Sequence, residues 1–336
     1  MKNIKVGLIG GGSWGTTVAS LVANNTSILM WARDQATVDE INTKHSNQKY
    51  LPGASLPENL KASNNLEQVV GQAEVLVIGV PSNSFRQVTK EIADYIGEGV
   101  PVVSLTKGLE RDTDKRMTQI IEDELPGHPF GVLTGPNLAR EIISGQAAAS
   151  VIAMNDADTV MLLQGVFNSG LFRVYTNDDV IGCELGGVLK NVVAIAVGMG
   201  ISLGAGDNTR SALITRGLSE ITRLGIAMGG RLETFSGLAG MGDMLATCIS
   251  PQSRNYQVGV ELGKGRLIDD IIEQMVMVAE GVKSSPTVVK LANKYGVEMP
   301  IATDVNEVIS GRMTPEQAYL GLLKRKVGAE IEVTGK

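Results

Sequence analysis

The sequence predicts an α/β fold of Rossmann type, a mostly parallel sheet followed by an all-helical C-terminal domain. Three observations lead there. The segment VGLIGGGSWGTTVA at 6–19 runs from apolar residues through a glycine turn into a helix-like stretch. Short, nearly continuous apolar runs then alternate with helical ones, as in parallel strands covered on both faces. Near Asn177 the alternation stops, and helical patterns broken by glycine fill the rest of the chain.

In order, IKVGLIG (4–10) reads as a strand ended by glycines, TTVASLVANN (16–25) as a helix, SILMW (27–31) as a strand and QATVDEINTKH (35–45) as a helix. After a long loop come strand VLVIGVP (75–81), helix SFRQVTKEIADYI (84–96), strand PVVSLT (101–106), polar helix TDKRMTQIIEDEL (113–125) and strand FGVLTGP (130–136). The strand-like ASVIAM (149–154) and FRVYT (172–176) continue the alternation. Beyond it, helices are expected at 180–199, 211–229, 267–282, 284–296 and 314–325. With 336 residues and roughly 150 per domain as a guide, two domains are expected, a dinucleotide-binding domain at 1–178 and a helical substrate domain at 179–336.

Composition narrows the function classes. A net charge of -6 argues against nucleic-acid binding, which needs a surplus of lysine and arginine. Cys183 and Cys248 stand far apart without metal-ligand spacing, so neither a disulfide framework nor a zinc site is expected, and a reducing cytoplasm fits best. Met1-Lys2-Asn3 leads into a strand-like run instead of the apolar core of a signal peptide. The apolar region between Lys190 and Asp207 carries five glycines or serines and reads as a buried core helix, so no membrane span is expected.

Gly10, Gly12 and Gly15 form GxGxxG between a strand and a helix. The first glycine permits a tight turn, the second removes a side chain where a pyrophosphate approaches, and the third lets helix and strand pack closely. The helix N-terminus adds amide donors and partial positive charge. A dinucleotide is therefore the expected cofactor. An NAD-specific site usually carries an acidic residue at the end of the second strand. Here SILMWARD puts Arg33 near that position, suited to a 2'-phosphate or simply solvated on a loop.

Ligands of such sheets bind beyond the carboxyl ends of the strands, which singles out Pro81-Ser82-Asn83, Lys107-Gly108 and Gly135-Pro136-Asn137. Lys107 would sit beside the nicotinamide. Lys190 stands in LGGVLKNVVAIAVGMG, where an ammonium is costly to bury. Desolvation would lower its pKa towards neutrality and make it a proton carrier, unless it snorkels from the edge of a core helix. In GLAGMGDMLATCISPQSRNYQVG, Asp243, Thr247, Ser253, Arg254 and Asn255 offer charge and hydrogen bonds. SRN suits a small phosphate, and it equally suits a helix-capping turn. His45 and His128 lie in polar loops without a second ligand at metal spacing, so no metal is expected and lysine leads as proton carrier. These residues leave open another two-domain dehydrogenase, acting on a β-hydroxy acid or ketopantoate, or a non-catalytic dinucleotide sensor.

Taken together, the chain resembles the NAD(P)-dependent glycerol-3-phosphate dehydrogenase family, of the bacterial soluble type. The resemblance runs nearly end to end, through GGGSWGTTVA, NQKYLPGASLPENL, VPSNSFRQV, SLTKGLE, TGPNLARE, ELGGVLKNVVAIAVG, NTRSALITRGLSE, FSGLAGMGD, SRNYQVG and VAEGV. It implies reversible reduction of dihydroxyacetone phosphate to sn-glycerol 3-phosphate with NADPH or NADH, feeding glycerophospholipid synthesis, and a homodimer. It also implies that Ser13, Trp14, Arg33, Ala139, Val278 and Glu280 contact the dinucleotide. Lys107, Gly135, Asn137, Asp243, Ser253, Arg254 and Asn255 would form the substrate site, with Lys107 and Arg254 reaching the cofactor too. Lys190 would exchange the proton, held by Asp243. The chain departs from the family at Asn137-Leu138, where Ser or Thr then Phe is common, and at Asn83-Ser84.

Overall fold

A computed structural model describes residues 4–275 and 279–324. The first half alternates as β1 (Lys5–Ile9), α1 (Ser13–Ala23), β2 (Ser27–Trp31), α2 (Gln35–Lys44), β3 (Lys61–Ser63), α3 (Leu66–Gly71), β4 (Val75–Ile78), α4 (Ser82–Ile92), β5 (Val102–Ser104), α5 (Met117–Glu124), β6 (Phe130–Thr134), α6 (Ala139–Ile143), β7 (Ala148–Met154), α7 (Ala157–Phe167) and β8 (Phe172–Asn177). The strands form one sheet in the order β3-β2-β1-β4-β5-β6-β7-β8. All neighbours are parallel except β6 and β7, where Thr134 pairs with Val151 in an antiparallel ladder.

Side chains alternate across this sheet, and both faces are covered. Val6, Leu8, Val75 and Val77 join one apolar cluster with Val18, Val22 and Phe167. Ile9, Leu76 and Ile78 point the other way, into a cluster with Phe85, Ile92 and Ile120. Burial on both faces explains why these strands are continuous apolar runs in the sequence. The strand order reverses direction between β1 and β4, which opens the crevice where ligands bind in such sheets.

The second half is helical: α8 (Val180–Ser202), α9 (Asp207–Ala227), α10 (Leu232–Ser236), a π turn (Leu238–Gly242), α11 (Asp243–Ile249), α12 (Arg254–Gly263), α13 (Ile268–Glu273), α14 (Glu280–Tyr295), α15 (Pro300–Ile309) and α16 (Pro315–Lys324). Among the described residues α8 alone has the length and apolarity of a membrane span, and 94% of that window is buried inside the protein. It is the central core helix, packed by α9, α11, α12 and α14. Gly198 and Gly259 allow close contact with α12: a Cβ at either would lie 2.2 and 2.1 Å from a backbone carbonyl oxygen of the partner helix.

Four expectations need correction. The helix expected at 267–282 is interrupted: α13 ends at Glu273 and α14 begins at Glu280, with Ala279 extended at its N-cap. The Gly281 amide donates to Asn255 Oδ1 at 2.9 Å, so a side chain from α12 starts the new helix. The break expected near Lys283 is absent, because α14 runs on through Pro286. The helix expected from Thr113 begins only at Met117; Asp114 is left-handed at φ 59, and Leu109 pairs with Arg116 across the intervening turn. The long loop before β4 also contains β3 and α3.

Candidate active site

The glycine turn after β1 has the shape its spacing predicts. Gly10 is at φ 129, and a Cβ there would stand 2.4 Å from the Gly79 carbonyl oxygen. A Cβ at Gly15 would meet the Gly10 carbonyl at 2.1 Å, so strand and helix can approach only with glycine there. A Cβ added at Gly12 would meet nothing within 4 Å, and α1 begins at Ser13 with no side-chain cap. Open space before an uncapped helix N-terminus fits a pyrophosphate. Buried Asn47 braces the turn by donating to Gly11 O at 3.0 Å and to Thr16 Oγ1 at 2.9 Å.

The other residues expected at the dinucleotide are arranged around this turn. Arg33 is exposed after β2, beside Asp34, which caps α2. Trp14 leans its ring edge-on against Phe172 at 6.2 Å, and its buried Nε1 has no acceptor among the described residues. Ala139 opens α6, and its carbonyl accepts a long bond of 3.5 Å from Thr17 Oγ1 on α1. Glu280 opens α14 and accepts from Ser82 Oγ at 2.7 Å, joining the two halves. Val278 lies outside the described residues.

The lysines meet on one carboxylate. Lys107, three residues beyond the end of β5, donates to Asp243 Oδ2 at 2.7 Å and to the Gly135 carbonyl at 3.0 Å. Lys190 donates to Asp243 Oδ1 and to Thr247 Oγ1, while Thr247 Oγ1 donates to the Asp243 carbonyl at 2.7 Å. Lys190 is 5% exposed and Asp243 1%. The snorkelling alternative therefore fails. Two ammonium groups share one carboxylate in a buried place, which leaves a net positive charge where a substrate oxygen becomes negative. Burial pushes the Lys190 pKa down to about 8; Asp243 opposes this and Lys107 adds to it.

Glycines in ELGGVLK explain how α8 brings Lys190 there. Gly186 and Lys190, four residues apart, share a helix face. A Cβ at Gly186 would lie 2.4 Å from the Ala239 carbonyl, so only a bare α-carbon lets the π turn dock and deliver Asp243. Gly187 packs against Thr134 at the end of β6 and against the Lys107 stem. Single π turns inside helices recur at functional sites because they re-aim the residue that follows.

In SRN the helix-capping reading is visible directly. Ser253 caps α12 by accepting from the Tyr256 amide at 3.3 Å. Asn255 is largely committed inside the protein, donating to Asn191 Oδ1 at 2.9 Å as well as capping α14. Arg254 keeps its side chain accessible while protein lies around it; desolvation lowers its guanidinium pKa and Glu280 opposes that. Asn137, at the β6 end of the site, accepts a hydrogen bond from Ser150 Oγ.

Sequence reasoning did not single out Asn47, Asn191 or Ser150. Asn191 carried the same signal as Lys190, a polar residue in an apolar helix. Asn47 and Ser150 are defined by contacts with distant segments.

Two family models match the chain. The model for the N-terminus of NAD-dependent glycerol-3-phosphate dehydrogenase matches residues 5–160, and the model for its C-terminus matches 179–320. The chain is 64% identical over 327 residues to glycerol-3-phosphate dehydrogenase (NAD(P)+) 2 of Sphingopyxis alaskensis, covering 97% of this chain and 98% of that one. It is 51% identical over 336 residues to glycerol-3-phosphate dehydrogenase (NAD(P)+) of Mycobacterium avium, covering 100% and 98%. The crystal structure of glycerol-3-phosphate dehydrogenase from Coxiella burnetii superposes with a TM-score of 0.92 at 35% identity, covering 96% and 99%.

Proposed function

The chain belongs to the NAD-dependent glycerol-3-phosphate dehydrogenase family, and from that premise we propose the residue roles in its reaction, the reversible NAD(P)-linked reduction of dihydroxyacetone phosphate to sn-glycerol 3-phosphate. In the family this reaction supplies phospholipid synthesis. The observation that carries the assignment is the Lys107–Asp243–Lys190 cluster, in which Asp243 and Lys190 are buried and Lys107 partly so.

NADH or NADPH, when bound, supplies the hydride. Gly10, Gly12, Ser13 and Gly15 hold its pyrophosphate, and Trp14, Arg33, Ala139, Val278 and Glu280 flank the rest of the dinucleotide. Lys190 gives its proton to the substrate oxygen in reduction and takes it back in oxidation. Lys107 stabilises the charge on that oxygen and touches the cofactor, and Asp243 holds both ammonium groups in place. Arg254, Ser253 and Asn255 bind the phosphate, with Gly135 and Asn137 lining the opposite side. Binding energy from the phosphate orients the carbonyl. We divide the chain into a dinucleotide domain at 1–178 and a substrate domain at 179–336, and propose a cytoplasmic homodimer.

The test is an absorbance assay of NADPH and NADH consumption with dihydroxyacetone phosphate across pH. The donor must be protonated for reduction, so the reduction rate should be level below pH 8 and fall as pH rises through about 8. Oxidation of glycerol 3-phosphate should rise over the same interval. A reduction rate that stays level well above pH 8 removes Lys190 as donor.

Arg254→Ala should raise KM for dihydroxyacetone phosphate by about 10- to 150-fold, the value of a charge-assisted hydrogen bond of about 1.5–3 kcal/mol. Unchanged KM and kcat would mean that SRN acts only as a helix start.

A further inference from the structure

The antiparallel strand β7 places a residue under the substrate site that the roles above leave out. Ser150 is fully buried and sits beside Gly135, one position beyond the Thr134–Val151 pair. Gly135 is at φ 135, and a Cβ there would lie 3.1 Å from Ser150 Cα and 3.3 Å from Ser150 Oγ. The turn from Gly135 to Asn137 therefore rests directly on Ser150. That turn carries the carbonyl that accepts from Lys107 Nζ.

The Ser150 hydroxyl donates to Asn137 Oδ1, which fixes the rotation of the Asn137 amide. With its oxygen turned to Ser150, the amide presents its nitrogen elsewhere, and Nδ2 is buried without an acceptor among the described residues. A buried amide donor without an acceptor is costly, and a ligand oxygen removes the cost.

We propose that Ser150 is a positioning residue that orients Asn137 so that its amide N–H donates to an oxygen of the bound triose phosphate. The inference rests on Asn137 belonging to the substrate site, and it adds which end of the amide is used and what holds it there. It also gives this chain a reason to carry asparagine at 137: a hydroxyl at that position could not be locked as a one-sided donor in the same way.

The test is a double-mutant cycle with steady-state kinetics. Ser150→Ala should raise KM for dihydroxyacetone phosphate about three- to tenfold, with kcat and the KM for NADPH little changed. In an Asn137→Ala background the same change should have no further effect, because its route is already gone. Asn137→Asp keeps an acceptor for Ser150 and removes the N–H donor, so it should raise KM at least as much as Asn137→Ala. Equal factors for Ser150→Ala in both backgrounds would make Ser150 merely structural and overturn the proposal. A normal KM in Asn137→Asp would do so even if Ser150→Ala fails to fold. If Asn137→Ala raises KM while Ser150→Ala does not, the positioning role falls and Asn137 keeps its place; if Asn137→Ala leaves KM unchanged, the substrate role of Asn137 falls first.

Discussion

Lys190→Ala is expected to abolish turnover in both directions while NADPH binds with its usual affinity. Proton transfer by a positioned group contributes about 100- to 10,000-fold, or about 3–5 kcal/mol of the barrier. Alanine offers no proton, and the ammonium it replaces is enclosed by Asp243 and Thr247. Asp243 keeps Lys107 as counter-ion, so the fold should survive. Stopped-flow turnover, fluorescence titration with NADPH and circular dichroism separate these statements. Turnover near the parent rate would end the assignment of Lys190.

The second large effect belongs to Asp243→Asn. One carboxylate accepts from two lysines through its two oxygens. An amide presents only one acceptor, and its NH2 group faces an ammonium that cannot accept. Breaking a buried ion pair by removing one partner costs about 3–5 kcal/mol, part of which a lysine can avoid by losing its proton. Since Asp243 is what opposes the burial effect on Lys190, its loss should drive the Lys190 pKa lower still. At neutral pH the reduction rate should therefore drop about 100-fold or more, the scale of a lost general acid. The fall in rate with pH should also shift to lower pH, and Tm should fall. An unchanged pH profile would show that Asp243 does not set the Lys190 proton.

Features written in neighbouring residues were legible in the sequence. The glycine turn is one, since strand, GxGxxG and helix occupy a single stretch and each glycine answers a local clash. Lys190 is another, because an ammonium within an apolar helix signals itself. What could not be read depends on segments that meet only in the folded chain. α13 ends at Glu273 and a new helix starts at Glu280, where Asn255 accepts from the Gly281 amide, and no pattern within 267–282 contains that information. Ser150 belongs to the site through the antiparallel register of β7 on β6, the one reversal in an otherwise parallel sheet. Asn47 acts through the glycine turn 36 residues earlier. The sequence also predicted too much helix before Met117, where a left-handed Asp114 turns the chain.

The shared carboxylate has a consequence for biosynthesis. Asp243 follows Lys107 by 136 residues, so the amino-terminal half emerges from the ribosome with that lysine still lacking its counter-ion. Only when α8 and α11 have been translated and docked do the three charged groups assemble. A nascent chain that has already folded around a nucleotide thus lacks the assembled proton-delivery cluster until α11, which ends at Ile249, has also been made.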